Sequence, residues 1–295
     1  MSSIFGKLKT LLEDPPPEFA FEIGSDRIAM SRTSTPFAER RIVLPQGTVV
    51  PSATKDNVVD PAAFGQAVAS LVPPAAGRRK RGAALILPAA AVRLAVIEFE
   101  SFPAKEEERL QLIRFRLRRT LPFDVDSAAL SYQVQPGNKV VVAIAPADVV
   151  AHYEAPFRAI GLDPGFVTCS PLAVLDLLPS AGSVLAAHLS SGVLTVLAVD
   201  NGVLSLARTL ELAPGADGMV TEISADLYTT LIYMEDQTGS RPGKVLLAGF
   251  GPDSDAIASR LAEELELPAE SLPYDNPGLA GYIASVAGVK MESAA

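Results

Sequence analysis

Residues 183–212, SVLAAHLSSGVLTVLAVDNGVLSLARTLEL, read as three strands. Asn201-Gly202 is the strongest turn signal in the stretch, because a two-residue hairpin needs positive φ at both central positions. A second stretch, FAFEIGSDRIAMSR at 19–32, repeats the design as strand, Gly-Ser-Asp turn and strand. RRIVLP and a polar turn follow, which extends the hairpin into a small antiparallel meander. After each hairpin (19–32 and 184–208) the chain continues with a further strand segment, a helix, a strand and a helix. The repeat is one of order rather than residue identity, and it predicts two α/β lobes of related construction.

A chain of 295 residues has room for one large or two medium domains. With 48% apolar and 20% charged residues it can bury a sizeable core, which excludes wholesale disorder. The net charge of −9 argues against nucleic-acid binding through the overall field. The single cysteine, Cys169, excludes an internal disulfide framework and a multi-cysteine metal site, and reads as a buried thiol. Two histidines, His152 and His188, leave little room for a zinc enzyme. The apolar stretches 83–97 and 183–199 contain Pro88, Arg93 and His188, and read as buried strands rather than membrane spans. The opening MSSIFGKLKTLLEDPPP has too short an apolar core for a signal peptide, so the expected compartment is the cytoplasm.

Residues 1–13 place Ile4, Phe5, Leu8, Leu11 and Leu12 on one side of a short helix, flanked by Lys7 and Lys9. Two readings stay open: a tail that packs on the body, or a helix that meets a membrane surface or a partner. Helices are expected at 61–72, between Pro103 and Pro122, and at 147–160, 217–236, 254–266 and 277–287. GAALILP (82–88) and KVLLAGF (244–250) are continuous apolar runs suited to strands covered on both faces. RLAVIEFESFP (93–103) alternates as a strand, and ALSYQV and KVVVAIAP form a hairpin around Pro136-Gly137-Asn138. The helix after Pro103 buries Leu110, Ile113 and Leu117. It opens with Glu106, Glu107 and Glu108 and closes with Arg114, Arg116, Arg118 and Arg119, the order that suits the helix dipole. That arginine cluster with Arg109, and the loop Arg78-Arg79-Lys80-Arg81, read either as solvated faces or as contacts for an anionic lipid or acidic protein surface.

Four segments together resemble the actin-like family, and within it the PilM proteins of type IV pilus assembly. FEIGSDRIAM (21–30) resembles the first phosphate hairpin, and HLSSGVLTVLAVDNGVLSLARTL (188–210) the second. VLLAGFGPDSDAIASRLAEELELP (245–268) resembles the adenosine strand, glycine turn and helix. LRRTLPFDVDSAALSYQV (117–134) is similar to a segment characteristic of PilM rather than of actin-like proteins generally. The resemblance implies an α/β fold of two ribonuclease-H-like lobes around a cleft, with a small inserted α/β subdomain. It implies an N-terminal tail at 1–18, a first lobe at 19–90 and 160–182, an insert at 91–159 and a second lobe at 183–291.

The resemblance also implies a site for ATP and magnesium, with Glu22, Gly24, Ser25, His188, Ser190, Gly249, Phe250 and Gly251 at the matching positions. The match is degenerate. Glu22 stands where the family has Asp, His188 where it has a magnesium-facing Asp, and Ser190 where it has glycine. A neutral imidazole does not replace a carboxylate beside hydrated magnesium, which prefers oxygen. Phe250 either stacks on a base or fills the adenine space. No catalytic residue and no metal-ligand set is assigned.

The leading expectation is a cytoplasmic scaffold of the pilus platform, peripheral to the inner membrane through its partners. The resemblance implies that it meets other platform proteins and binds the cytoplasmic tail of a PilN-like inner-membrane protein in a groove between the first lobe and its insert. Leu117, Leu121, Pro122 and Phe123 are the expected groove wall. Two alternatives remain: an active actin-like ATPase that switches or polymerises on nucleotide, and a cytoplasmic component related to type II secretion GspL. The latter expects a membrane span that this sequence lacks.

Overall fold

The computed structural model describes residues 16–73, 81–212, 216–239 and 241–287. The expected helix at 1–13 with its membrane contact, and the basic residues Arg78, Arg79 and Lys80, lie outside them. The first half opens with β1 (Phe19–Ile23), β2 (Arg27–Arg32) and β3 (Thr35–Val43), an antiparallel meander. Helix α1 (Pro61–Leu71) leads to β4 (Arg81–Leu87), which pairs parallel to β1. Asp60 caps α1 by accepting the amides of Ala62 and Ala63, and Pro61 fills its first turn, where no amide bond is lost. Then come β5 (Arg93–Glu98), α2 (Glu106–Leu117), β6 (Ala128–Val134), β7 (Lys139–Pro146), α3 (Ala147–Ala159), β8 (Leu162–Cys169) and the short α4 (Ser170–Val174).

The second half repeats the design with β9 (Ser183–Ser190), β10 (Val193–Asp200), β11 (Val203–Glu211), α5 (Ala216–Thr238), β12 (Lys244–Ala248), α6 (Ser254–Leu265), β13 (Ala269–Ser271) and α7 (Pro277–Ala287). The first sheet runs β3–β2–β1–β4–β8 and the second β11–β10–β9–β12–β13, so the two five-stranded sheets share one strand order. A third sheet, β5–β7–β6, is built from the chain between β4 and β8. The Asn201-Gly202 turn has positive φ at both residues, and so does Ser191-Gly192 before it, the primed geometry that matches strand twist.

Alternation along β1 sorts the first core. Phe19, Phe21 and Ile23 face α1 and α3, where they meet Phe64, Val68, Tyr153 and Phe157. Ala20 faces the other way with Ala29, Ala84 and Ile86, and these small residues receive Leu279, Tyr282 and Ile283 of α7. In the second half Leu185, Ala187, Leu194 and Val196 face α5 and α6, while Val184, Ala186, Leu197 and Val199 face Val141 of the third sheet.

Two helices pack across the expected boundaries. Helix α3, placed by order in the insert, sets Val149, Tyr153 and Phe157 in the first sheet's core. Helix α7, assigned by order to the second lobe, packs on the first sheet. Its seat is close: a Cβ at Gly281 would stand 1.9 Å from the carbonyl oxygen of Ala173 in α4. Only glycine admits that approach, so α4 and α7 form a pair between the two sheets.

Candidate functional site

Register fixes which residues of the two hairpins correspond. Gly24 donates its amide to Arg27 and closes the first turn, while Ser190 pairs with Val193 and closes the second. Two residues upstream lie Glu22, paired with Ile86 of β4, and His188, paired with Ala248 of β12. Both point away from the aromatic or leucine core of their sheet, toward the α4–α7 pair.

Glu22 accepts the amide of Leu279 at 2.8 Å, and Gly278 also donates to it. Its carboxylate therefore caps the amino end of α7, where free amides and the helix dipole favour an acceptor. The fit requires glycine at 278, since a Cβ there would lie 2.8 Å from the Glu22 carboxyl oxygen. Burial outweighs the amide bonds and pushes the carboxyl up to about 7. Glu39 on β3, also raised by burial, bonds the side chain of Asn276, the residue before α7.

His188 is 1% exposed. Nδ1 lies 3.3 Å from the carbonyl oxygen of Ala248, which can only accept, so Nδ1 carries the proton. Nε2 then accepts from the hydroxyl of Ser170, the first residue of α4, at 2.9 Å. Burial drives the imidazole down to about 4 and keeps it neutral. Each sheet thus holds the last helix of the other half: Glu22 holds α7, and His188 holds α4.

Three further nucleotide-type positions, Ser25, Gly249 and Phe250, are likewise committed to the protein. The Ser25 amide donates to the hydroxyl of Ser191 at 3.1 Å, so the two hairpin tips touch. Gly249 has φ +84, and a Cβ there would lie 2.3 Å from the carbonyl oxygen of Leu189, so glycine is required by the neighbouring strand. Phe250 is buried in the core of the second sheet. Gly251 has φ +68 and open space around it. The Glu22 carboxylate, the His188 imidazole and the Ser25 amide each already have a protein partner. Cys169 is a buried thiol that burial pushes up to about 12, the inert kind of cysteine rather than an activated thiolate.

A second concavity lies apart from the nucleotide-type positions. A groove of about 830 Å³ lies between the third sheet, the carboxyl end of β8 and the α4–α7 pair. Ala129, Ser131 and Gln133 of β6 and Val141, Ala143 and Ala145 of β7 supply one wall, and Phe166 to Cys169 of β8 the other. β6 and β8 each lie at the end of their sheet, so both strands border the groove with one edge outside any ladder of the described residues. Gln135 closes one end by two hydrogen bonds to Leu204, donating to its carbonyl and accepting from its amide, each at 2.9 Å.

Leu117, Leu121, Pro122 and Phe123, the expected partner wall, do not line this groove. Leu117 is buried with Ile113, Val140, Val142 and Ile144 on the opposite face of the third sheet; Leu121 and Phe123 pack against that cluster and Pro122 is exposed. The segment 117–123 closes the insert's own core, and the alternation of β7 sends odd-numbered residues to the groove instead. Sequence reading missed Ser170, Ser191, Gln135, Asn276, Gly278 and Gly281. Gly278 and Gly281, one turn apart in an apolar segment, were the available signal for a closely seated helix.

No family model and no curated protein matches the sequence. Solved structures do match in fold. A structure described as the PilM–PilN type IV pilus biogenesis complex superposes with a TM-score of 0.72 over 94% of this chain and 98% of its own, at 19% identity. The fold is actin-like. The cytoplasmic domain of EpsL, an inner-membrane component of the type II secretion system of Vibrio cholerae, gives a TM-score of 0.52, 12% identity and coverages of 93% and 95%. A protein of actin-like ATPase fold and unknown function from Bacteroides thetaiotaomicron gives 0.52, 11%, 90% and 95%. Among the described residues no helix is long and apolar enough to cross a membrane.

Proposed function

We propose that this chain is a PilM-like scaffold of a type IV pilus assembly platform. It works on the cytoplasmic face of the inner membrane and takes the extended cytoplasmic tail of a PilN-like membrane protein into the groove beside β6 and β8. The observation that carries the reading is the groove itself. It is mostly apolar, about 830 Å³, and bordered by two sheet-end strands, the setting in which an extended peptide gains main-chain bonds and side-chain pockets. The likeness of fold to a PilM–PilN complex supports the same partner class. The commitment of Glu22, His188 and Ser25 to interlobe bonds supports a degenerate nucleotide cleft and a binding rather than a catalytic role.

The test is calorimetric titration of the full chain with a synthetic tail peptide of the PilN-like partner. Ala143→Arg, which fills the groove, is expected to abolish binding, while Phe123→Asp on the opposite face is expected to leave the affinity of the folded fraction unchanged. Retained binding in Ala143→Arg overturns the groove assignment. Titration with Mg-ATP is expected to give no saturable heat at millimolar concentration; saturable binding would return the ATPase reading to the front.

A further inference from the structure

The groove has one charged feature. Among the described residues that line it, Asp176 alone carries a formal charge at neutral pH. It sits on the 3-10 turn Leu175–Leu177, between Leu175 and Leu178, which line the same wall. Ser285 of α7, also in the lining, donates to the carboxyl. Among the described residues no Lys, Arg or His is in the wall to answer the charge. Asp176 is exposed, and burial still holds its carboxyl above the ordinary range. An accessible carboxylate on the lining, with one hydroxyl donor and no cation among the described residues, can pair with a cation on whatever fills the groove.

We infer that the groove's occupant sets a cation on Asp176, either a Lys or Arg side chain or a free amino terminus, and that this contact selects the peptide and fixes its direction. The inference rests on the peptide reading above. An apolar wall recognises many extended chains about equally, whereas one charge at one end distinguishes a basic residue at a single position and rejects an acid there. It also makes binding fall with added salt, which apolar pockets do not.

The experiment titrates the wild-type chain and Asp176→Asn with three peptides: the tail of the PilN-like partner, the same tail with its amino terminus acetylated and each Lys and Arg replaced by Gln, and the same tail with those residues replaced by Glu. Asp176→Asn keeps an acceptor for Ser285, so α7 stays anchored. The expected result is a loss of roughly two- to fivefold in affinity for the native tail on Asp176→Asn, the upper part of the range for an exposed ion pair. No change is expected for the Gln peptide, and the Glu peptide is expected to bind Asp176→Asn more tightly than wild type. Native and Gln peptides binding wild type equally well would overturn the charge assignment while leaving the groove intact, as would an equal loss for both on Asp176→Asn. Failure of every peptide to bind would overturn both readings.

Discussion

Glu22 and His188 occupy matching positions in two sheets of identical strand order, yet they are opposite kinds of group in the same kind of place. Each reaches across to the helix that ends the other half. Glu22 offers a carboxylate to the amides that open α7; His188 offers a neutral ring between a strand carbonyl and the hydroxyl of Ser170. The carboxylate is pushed up to about 7 and the imidazole down to about 4 by the same cause, burial. The comparison teaches that a cleft lined by polar groups at nucleotide-like positions can be an internal joint. What decides is whether those groups already have partners.

The largest expected effect comes from breaking the joint at its tightest point. Gly281→Ala would drive a Cβ into the Ala173 carbonyl, and backbone on backbone cannot yield as a flexible side chain does. The helix pair must separate, so the loss of stability is expected to be about 3 kcal/mol or more by chemical denaturation. Gly24→Ala is the contrasting control. Its nearest neighbours lie at 3.3 and 3.4 Å, so its loss should stay near about 1 kcal/mol. Equal losses at the two glycines would mean that α7 is not seated as described.

The pH dependence sharpens the comparison next. Glu22 has a folded value of about 7 against an ordinary 4.5. A raised carboxylate gives stability that is full below the unfolded value and is lost as pH rises through the folded one, here between about 4.5 and 7. His188 has a folded value of about 4 against 6.5, so its contribution is full above about 6.5 and is lost as pH falls toward 4. The two slopes oppose each other over nearly the same window and largely cancel. Each single variant should expose the other group. Relative to wild type, His188→Gln should gain stability on acidification from pH 7 to 4.5, and Glu22→Gln should lose it, each by about 2–3 kcal/mol across the window. Urea midpoints at several pH values check this; parallel profiles for wild type and both variants would mean that neither group is buried in its joint.

Much of this arrangement was legible in the sequence, and the reason is local. Hairpin turns such as Asn201-Gly202 and period-two alternation are written in neighbouring residues, so the two sheets, the third-sheet hairpin and most helices followed from pattern alone. The position of α7 was not legible. Every residue from Pro277 to Ala284 is buried, and a helix buried on all sides shows no stripe to indicate which sheet receives it. The wall of this groove was not legible for a related reason. β7 is apolar on both faces, so the pattern does not say which face closes over Leu117 and Phe123 and which stays open. Of the site residues, Glu22 and His188 were picked out as departures from an expected pattern. Their partners Leu279 and Ser170 lie 257 and 18 positions away and carry no local signal.

The smallest effect tests whether the hairpin tips are joined at all. Ser191 holds φ +51, a conformation that costs a non-glycine residue on the order of 1 kcal/mol, and from there its hydroxyl accepts the Ser25 amide at 3.1 Å. Ser191→Gly removes the hydroxyl and relieves the backbone together. An exposed hydrogen bond is worth on the order of 0.5–1 kcal/mol, so the two terms should offset and leave global stability within about 0.5 kcal/mol of wild type. The local signature does not cancel. The Ser25 amide loses its acceptor, and its hydrogen exchange should speed up while the amides of β1 and β2 keep their protection. Unchanged exchange at Ser25 would show that the tips stand apart in solution, and the joint between the halves would then rest on contacts away from the tips, among them those of Glu22, His188, Glu39 and Gln135 and the α4–α7 pair.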